Sequence, residues 1–157
     1  MSSLIYFFDI EKIQCFILLN VALRGLSAVL YSWSCCIYVA SRWYAKAERY
    51  KSLAYEFFQR GMYAECCFFA QQAAEFYLET KLVELTGSRP YSHSILQLLR
   101  EVSAVLGVEI SGGLARCAKH LTEQYISARY PDARMLDYDR EDAEECVKCM
   151  EAVMGHA

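Results

Sequence analysis

The sequence predicts an all-α fold: an up-and-down four-helix bundle with an additional short helix, behind an apolar N-terminal extension. Three observations carry this expectation. The 157 residues include only 2 prolines and 7 glycines, too few for a fold built from many short strands and turns. Apolar residues recur at helical rather than alternating spacing in five segments. The gaps between those segments are short, which favours antiparallel neighbours. The length suits one domain, and 55% apolar against 22% charged residues excludes a disordered chain. A net charge of -3 gives no global reason to bind nucleic acid, so any such binding falls to a local patch.

The first helix is expected over Tyr44 to Arg60, with Ala47, Tyr50, Ala54, Phe57 and Phe58 inward and Gly61 ending it. The second is expected over Tyr63 to Leu85. Cys67, Ala70, Ala74, Tyr77, Leu78 and Leu85 recur along one side, and Gly87 closes it. Small residues on that side allow close helix packing. The third is expected from about Ser92 to Leu106, with the stripe Ile95, Leu98, Leu99, Val102 and Leu106, and Gly107 after it. Ser111 is placed to cap the fourth, with Leu114, Cys117, Ala118, Leu121 and Tyr125 inward and Pro131 stopping the helix. The fifth is expected to begin at Asp139. Glu141 and Asp142 sit in its first turn, and Ala143, Cys146, Val147, Met150 and Val153 face inward.

Residues 1–42 form the extension and residues 43–154 the domain. From Ile13 to Ala40, 21 of 28 residues are apolar and Arg24 is the one Lys, Arg, Asp or Glu. A spanning helix needs about 20 apolar residues. Arg42, Lys46, Arg49 and Lys51 follow, which would leave the C-terminal domain in the cytoplasm. Arg24 and the polar residues Asn20, Ser27, Ser32 and Ser34 oppose that reading. Three readings stay open: a membrane anchor through residues 13–40, a helix packed on the domain, or a disordered extension or sequence upstream of a later start at Val29, Leu30 or Val39.

Eight cysteines include Cys66-Cys67 and Cys146-x-x-Cys149 on expected helices. A zinc site takes about four ligands and one CxxC supplies two. The histidines His93, His120 and His156 add no matching spacing, so no metal and no cofactor is expected and the cysteines are assigned to packing. Disulfide pairing is not readable from spacing. Ser92-His-Ser94 reads as a helix start, because adjacent helical residues do not face one another. The 12 tyrosines suit core edges as well as base stacking.

Three blocks carry a family resemblance: Gly61-Met-Tyr-Ala-Glu-Cys-Cys-Phe-Phe-Ala-Gln-Gln-Ala-Ala-Glu75, Pro90-Tyr-Ser-His-Ser-Ile-Leu-Gln-Leu-Leu99, and Tyr125-Ile-Ser-Ala-Arg-Tyr-Pro-Asp132 with Tyr138 beyond it. In order and spacing they resemble HEPN domains over about Trp43 to Met154. The resemblance implies an α-helical bundle, commonly a homodimer, often encoded beside a minimal nucleotidyltransferase in prokaryotic toxin–antitoxin systems. Many such domains are metal-independent ribonucleases with an Arg-x(4–6)-His motif, in which Arg stabilises phosphate charge and His moves a proton.

This chain departs from that motif. Counting from Arg129, the histidine positions hold Arg134, Met135 and Leu136, and both Arg89-x-x-x-His93 and Arg116-x-x-x-His120 are one residue short. The resemblance therefore implies a non-catalytic module in the cytoplasm. It would bind a nucleotide or RNA through Arg129, Tyr130, Asp132, Arg134 and Tyr138, and pair with a nucleotidyltransferase-like protein. A competing role for Arg129 is an ion pair with an aspartate that fixes the loop. The alternatives of another class are a tetratricopeptide-like interaction adaptor and a membrane-anchored effector. The adaptor is suggested by the helix–Gly-Met-Tyr–helix run of Tyr44 to Glu75.

Overall fold

The computed structural model describes the backbone of residues 26–156 and the side chains of residues 38–156. Five helices and no strand occur among the described residues: α1 (Leu26–Gln59), α2 (Tyr63–Thr86), α3 (Ile95–Leu106), α4 (Gly112–Ser127) and α5 (Arg140–His156). The chain divides into two units, residues 1–35 and residues 36–157.

The all-α expectation holds, with differences at the ends of elements. Helix α1 begins well before Tyr44, because no glycine or proline interrupts the chain between Leu26 and Gly61. No described helix is long and apolar enough to cross a membrane. Residues 13–25 of the candidate span lie outside the described residues. Helix α3 starts at Ile95 rather than Ser92, with the Ser94 hydroxyl accepting from the Gln97 N–H at 3.3 Å. Ser111 caps α4 as expected, its hydroxyl accepting from the Leu114 N–H at 3.2 Å. Helix α4 ends at Ser127, short of Pro131. Asp139 lies just outside α5 and closes a reciprocal cap with Asp142.

Gly87 and Gly107 take left-handed conformations after α2 and α3, with φ of 72° and 68°. A Cβ at Gly87 would meet nothing within 4 Å among the described residues, so the expected effect is backbone strain. Gly87→Ala is expected to destabilise the domain by about 1–2 kcal/mol, read as a lower denaturant midpoint at unchanged slope.

Helix α2 lies at the centre of the domain, packed against α3, α4 and α5. Its small residues Ala70, Ala73 and Ala74 are fully buried and let neighbouring backbones approach. Leu78 and Leu82 meet Leu98, Leu99, Leu121, Met150 and Val153 in one core. Leu85 and Leu106, expected inward, are exposed, because each lies in the last turn of its helix. Helix α1 meets α2 through rings: Trp43 on Phe76 at 5.1 Å, Tyr50 on Phe69 at 5.2 Å, and Phe57 stacked on Phe69 at 5.2 Å. The Tyr55 hydroxyl reaches Glu151 on α5.

Cys66, Cys67 and Cys146 are free and buried, as packing residues should be. Burial holds the Cys66 thiol at about 12, so it stays protonated. Cys117 and Cys149 are paired in a disulfide between α4 and α5, which spacing alone could not indicate.

Candidate functional site

One line of α2 is polar although the helix is otherwise buried. Gln71, Glu75 and Glu79 recur every four residues, and all three are inaccessible to solvent. Buried polar groups demand partners, and two basic residues of the segment between α2 and α3 supply them. His93 Nδ1 lies 2.9 Å from Glu75 Oε1, and Arg89 donates to Glu79 Oε1 at 3.2 Å. The other Glu75 oxygen accepts from the amides of Gln71 at 2.8 Å and Gln72 at 3.3 Å. Glu75 is thus a buried carboxylate with both oxygens engaged, and it orients an imidazole that is itself largely exposed.

The His93 ring lies flat on Tyr125 of α4, with centroids 4.3 Å apart and planes 10° from parallel. The Tyr125 hydroxyl accepts from Arg129 Nη1 at 3.1 Å. The Arg129 guanidinium sits 5.4 Å from the Tyr125 ring and 5.9 Å from that of Phe68 on α2. Glu75, His93, Tyr125 and Arg129 therefore form one connected group drawn from α2, the following segment and α4. Arg89 extends it: its guanidinium stacks 4.1 Å above Trp43 and 5.9 Å from Tyr91, a nearly fully exposed ring.

The residues singled out in the sequence divide between two settings. Arg129 belongs to this group, is exposed, and makes no salt bridge among the described residues. Arg134 is instead committed to Asp142 of α5 at 2.8 Å and lies 4.3 Å from the Tyr138 ring. The aspartate pair that fixes this loop is therefore made by Arg134 with Asp142, and among the described residues neither Arg129 nor Asp132 forms an ion pair. Tyr138 donates to Gln124 Oε1 at 2.5 Å, and burial pushes its hydroxyl up to about 12. Tyr130 and Asp132 are exposed, and no side-chain contact joins them to Arg129 among the described residues.

Glu75, His93 and Tyr125 were not singled out as site residues from the sequence. The available signal was Gln71-x(3)-Glu75-x(3)-Glu79, a polar line on the same helix as a small-residue stripe.

Glu79 differs from its neighbour. Its second oxygen is buried without a hydrogen-bond partner among the described residues, and burial holds its carboxyl above the usual range although Arg89 pulls it down. A raised carboxyl pKa gives stability that is present at low pH and lost as pH rises through the folded value. Glu79→Gln keeps an acceptor for Arg89 and removes the buried charge. The variant is expected to melt above the parent at pH 7 and to converge with it well below the usual carboxyl value of 4.5, in thermal scans across that range.

A family model described as HEPN domain matches residues 40–156. Two solved structures are similar. The crystal structure of TT1696 from Thermus thermophilus is 33% identical with a TM-score of 0.66, over 74% of this chain and 93% of that one. That of ST0689, an archaeal HEPN homologue, is 29% identical with a TM-score of 0.59, over 74% of this chain and 92% of that one. No curated protein matches the chain.

Proposed function

The chain belongs to the HEPN domain family, and from that premise we propose that it binds the phosphate of a nucleotide or RNA strand at Arg129, as a partner of a minimal nucleotidyltransferase-like protein. One observation carries the reading: Arg129 is an exposed cation with no carboxylate partner among the described residues, held on a tyrosine ring beside an exposed histidine. A guanidinium so placed is a receptor for a phosphate oxygen. An exposed ring flanked by a cation, here Tyr91 with Arg89, suits a single-stranded nucleic acid better than a lone mononucleotide. The module acts in the cytoplasm as a homodimer, in a toxin–antitoxin-like pairing. The packing of α2 against α3, α4 and α5, with α1 laid on it through aromatic rings, favours a closed bundle over the adaptor alternative.

The test is binding of a labelled oligoribonucleotide by fluorescence anisotropy at two salt concentrations, beside co-purification with a co-expressed minimal nucleotidyltransferase. Salt-sensitive binding is expected, because the contact is to phosphate. No binding to either RNA or mononucleotides ends the phosphate reading, and failure to co-purify ends the pairing.

A second reading, metal-independent RNA cleavage, is favoured by one observation. The histidine absent from the positions after Arg129 has a spatial counterpart in His93, oriented by Glu75 and linked to Arg129 through Tyr125. In that reading His93 takes the 2′-hydroxyl proton and Arg129 stabilises the phosphorane charge. Incubation of RNA with the protein in chelator decides it: intact RNA removes the reading, and cleavage lost in His93→Ala supports it.

A further inference from the structure

Helices α4 and α5 face each other with a second cluster of chemically capable side chains, none of them shared with the Arg129 group. Cys117 and His120 lie three residues apart on α4, and Cys146 and Cys149 three apart on α5. Residues so spaced share a helix face. The two pairs are in antiparallel register: Cys117 meets Cys149, and His120 Nε2 lies 3.5 Å from Cys146 Sγ. Cys146 and Cys149 are fully buried, while Cys117 and His120 are half-buried and border the surface.

In the disulfide form Cys117 and Cys149 are spent on each other, and no three donors among the described residues are placed to hold a metal. Reduction changes the donor set to three thiols and an imidazole, the composition of a closed tetrahedral zinc site. Zinc–sulfur and zinc–nitrogen bonds of about 2.3 and 2.0–2.1 Å at the tetrahedral angle separate sulfur from nitrogen by about 3.6 Å. His120 and Cys146 already stand at that separation. The Cys117 and Cys149 sulfurs must part by side-chain rotation once their bond is gone.

We propose that the reduced protein holds a zinc ion between α4 and α5 on Cys117, His120, Cys146 and Cys149, and that the Cys117–Cys149 disulfide is its metal-free, oxidised form. The chemistry balances with a dithiol as reductant: its two thiols pass two electrons and two protons to the disulfide and leave as a cyclic disulfide. Zinc then displaces the protons of three thiols to water. A disulfide oxidant runs the exchange backwards and expels the ion. Cys67 borders the cluster: its thiol lies against Cys146 and 3.6 Å from the Asp142 carbonyl oxygen.

The test uses the full chain, reduced with a dithiol and desalted without oxygen, then titrated with cobalt(II) as a zinc surrogate. One equivalent is expected, with thiolate-to-cobalt charge-transfer absorption and intense visible bands of tetrahedral cobalt, bleached by zinc. The unreduced protein should give neither. Cys146→Ser and His120→Ala should lose the tetrahedral spectrum, and Cys66→Ala should keep it. A fully reduced parent protein that binds neither ion overturns the proposal, and that measurement does not depend on any variant folding. Tetrahedral binding that survives both Cys146→Ser and His120→Ala overturns it equally.

Discussion

Glu75→Ala is expected to disable the candidate site and to destabilise the domain together. The carboxylate is buried and serves three donors at once: His93, Gln71 and Gln72. Removing it leaves the Gln71 amide buried without its acceptor, at a cost of about 1–3 kcal/mol. The exposed imidazole loses the contact that sets its orientation and keeps only its stack on Tyr125. Glu75→Gln should be milder in stability, since shape is retained. Its amide oxygen can still accept from Gln71 and Gln72, but its NH2 then faces His93 Nδ1, so the imidazole must accept there instead of donating. His93→Ala should cost less than either, because its ring is more than half exposed and Glu75 keeps two amide partners. Denaturant midpoints are expected to fall in the order parent, His93→Ala, Glu75→Gln, Glu75→Ala. A Glu75→Ala protein as stable as the parent would remove the buried network as a structural element. Ligand binding measured on the same variants separates the two effects, since His93→Ala disturbs the site with least damage to the fold.

The distinction between Glu75 and its surroundings shows what sequence patterning reveals. Helix periodicity reports which face a residue occupies, so the Ala70–Ala74 stripe, the caps at Ser94 and Ser111 and the glycine stops follow from neighbours within one turn. Glu75 and His93 are 18 positions apart, and their meeting depends on the chain reversing after Gly87. That reversal has no local signature of distance. The same limit applies to Cys117 and Cys149, separated by 32 residues, and to the choice of Asp142 rather than Asp132 as the partner of Arg134. Asp132 is the nearer in sequence. Arg134 reaches Asp142 because Asp139 turns the chain into α5 and presents the first-turn carboxylate beside the Tyr138 ring. The long α1 has the opposite origin. Its added turns were locally permitted, but high apolar content supports an anchor and a packed helix equally, so composition could not choose between them.

The two arginines of the block after α4 should therefore respond oppositely to substitution. Arg129→Ala removes an exposed guanidinium whose contacts are one hydroxyl and two rings. Its stability effect should stay within about 0.5 kcal/mol, as for other surface changes. A charge-assisted contact to phosphate contributes about 1.5–3 kcal/mol. Loss of one such contact corresponds to a weakening of roughly 10- to 150-fold, with a shallower dependence of affinity on salt. Arg134→Ala breaks the bridge to Asp142 and bares the Tyr138 ring, so it should loosen the segment between α4 and α5. That bridge is partly shielded at both ends, and its loss is expected to lower stability by up to about 1 kcal/mol with little change in affinity. Arg129→Lys offers a sharper comparison. It keeps the charge but loses the planar fork that rests on Tyr125 and Phe68, so affinity should fall between parent and alanine. If Arg129→Ala binds RNA as tightly as the parent while Arg134→Ala does not, the receptor lies on the other side of the loop, around Arg134 and Tyr138.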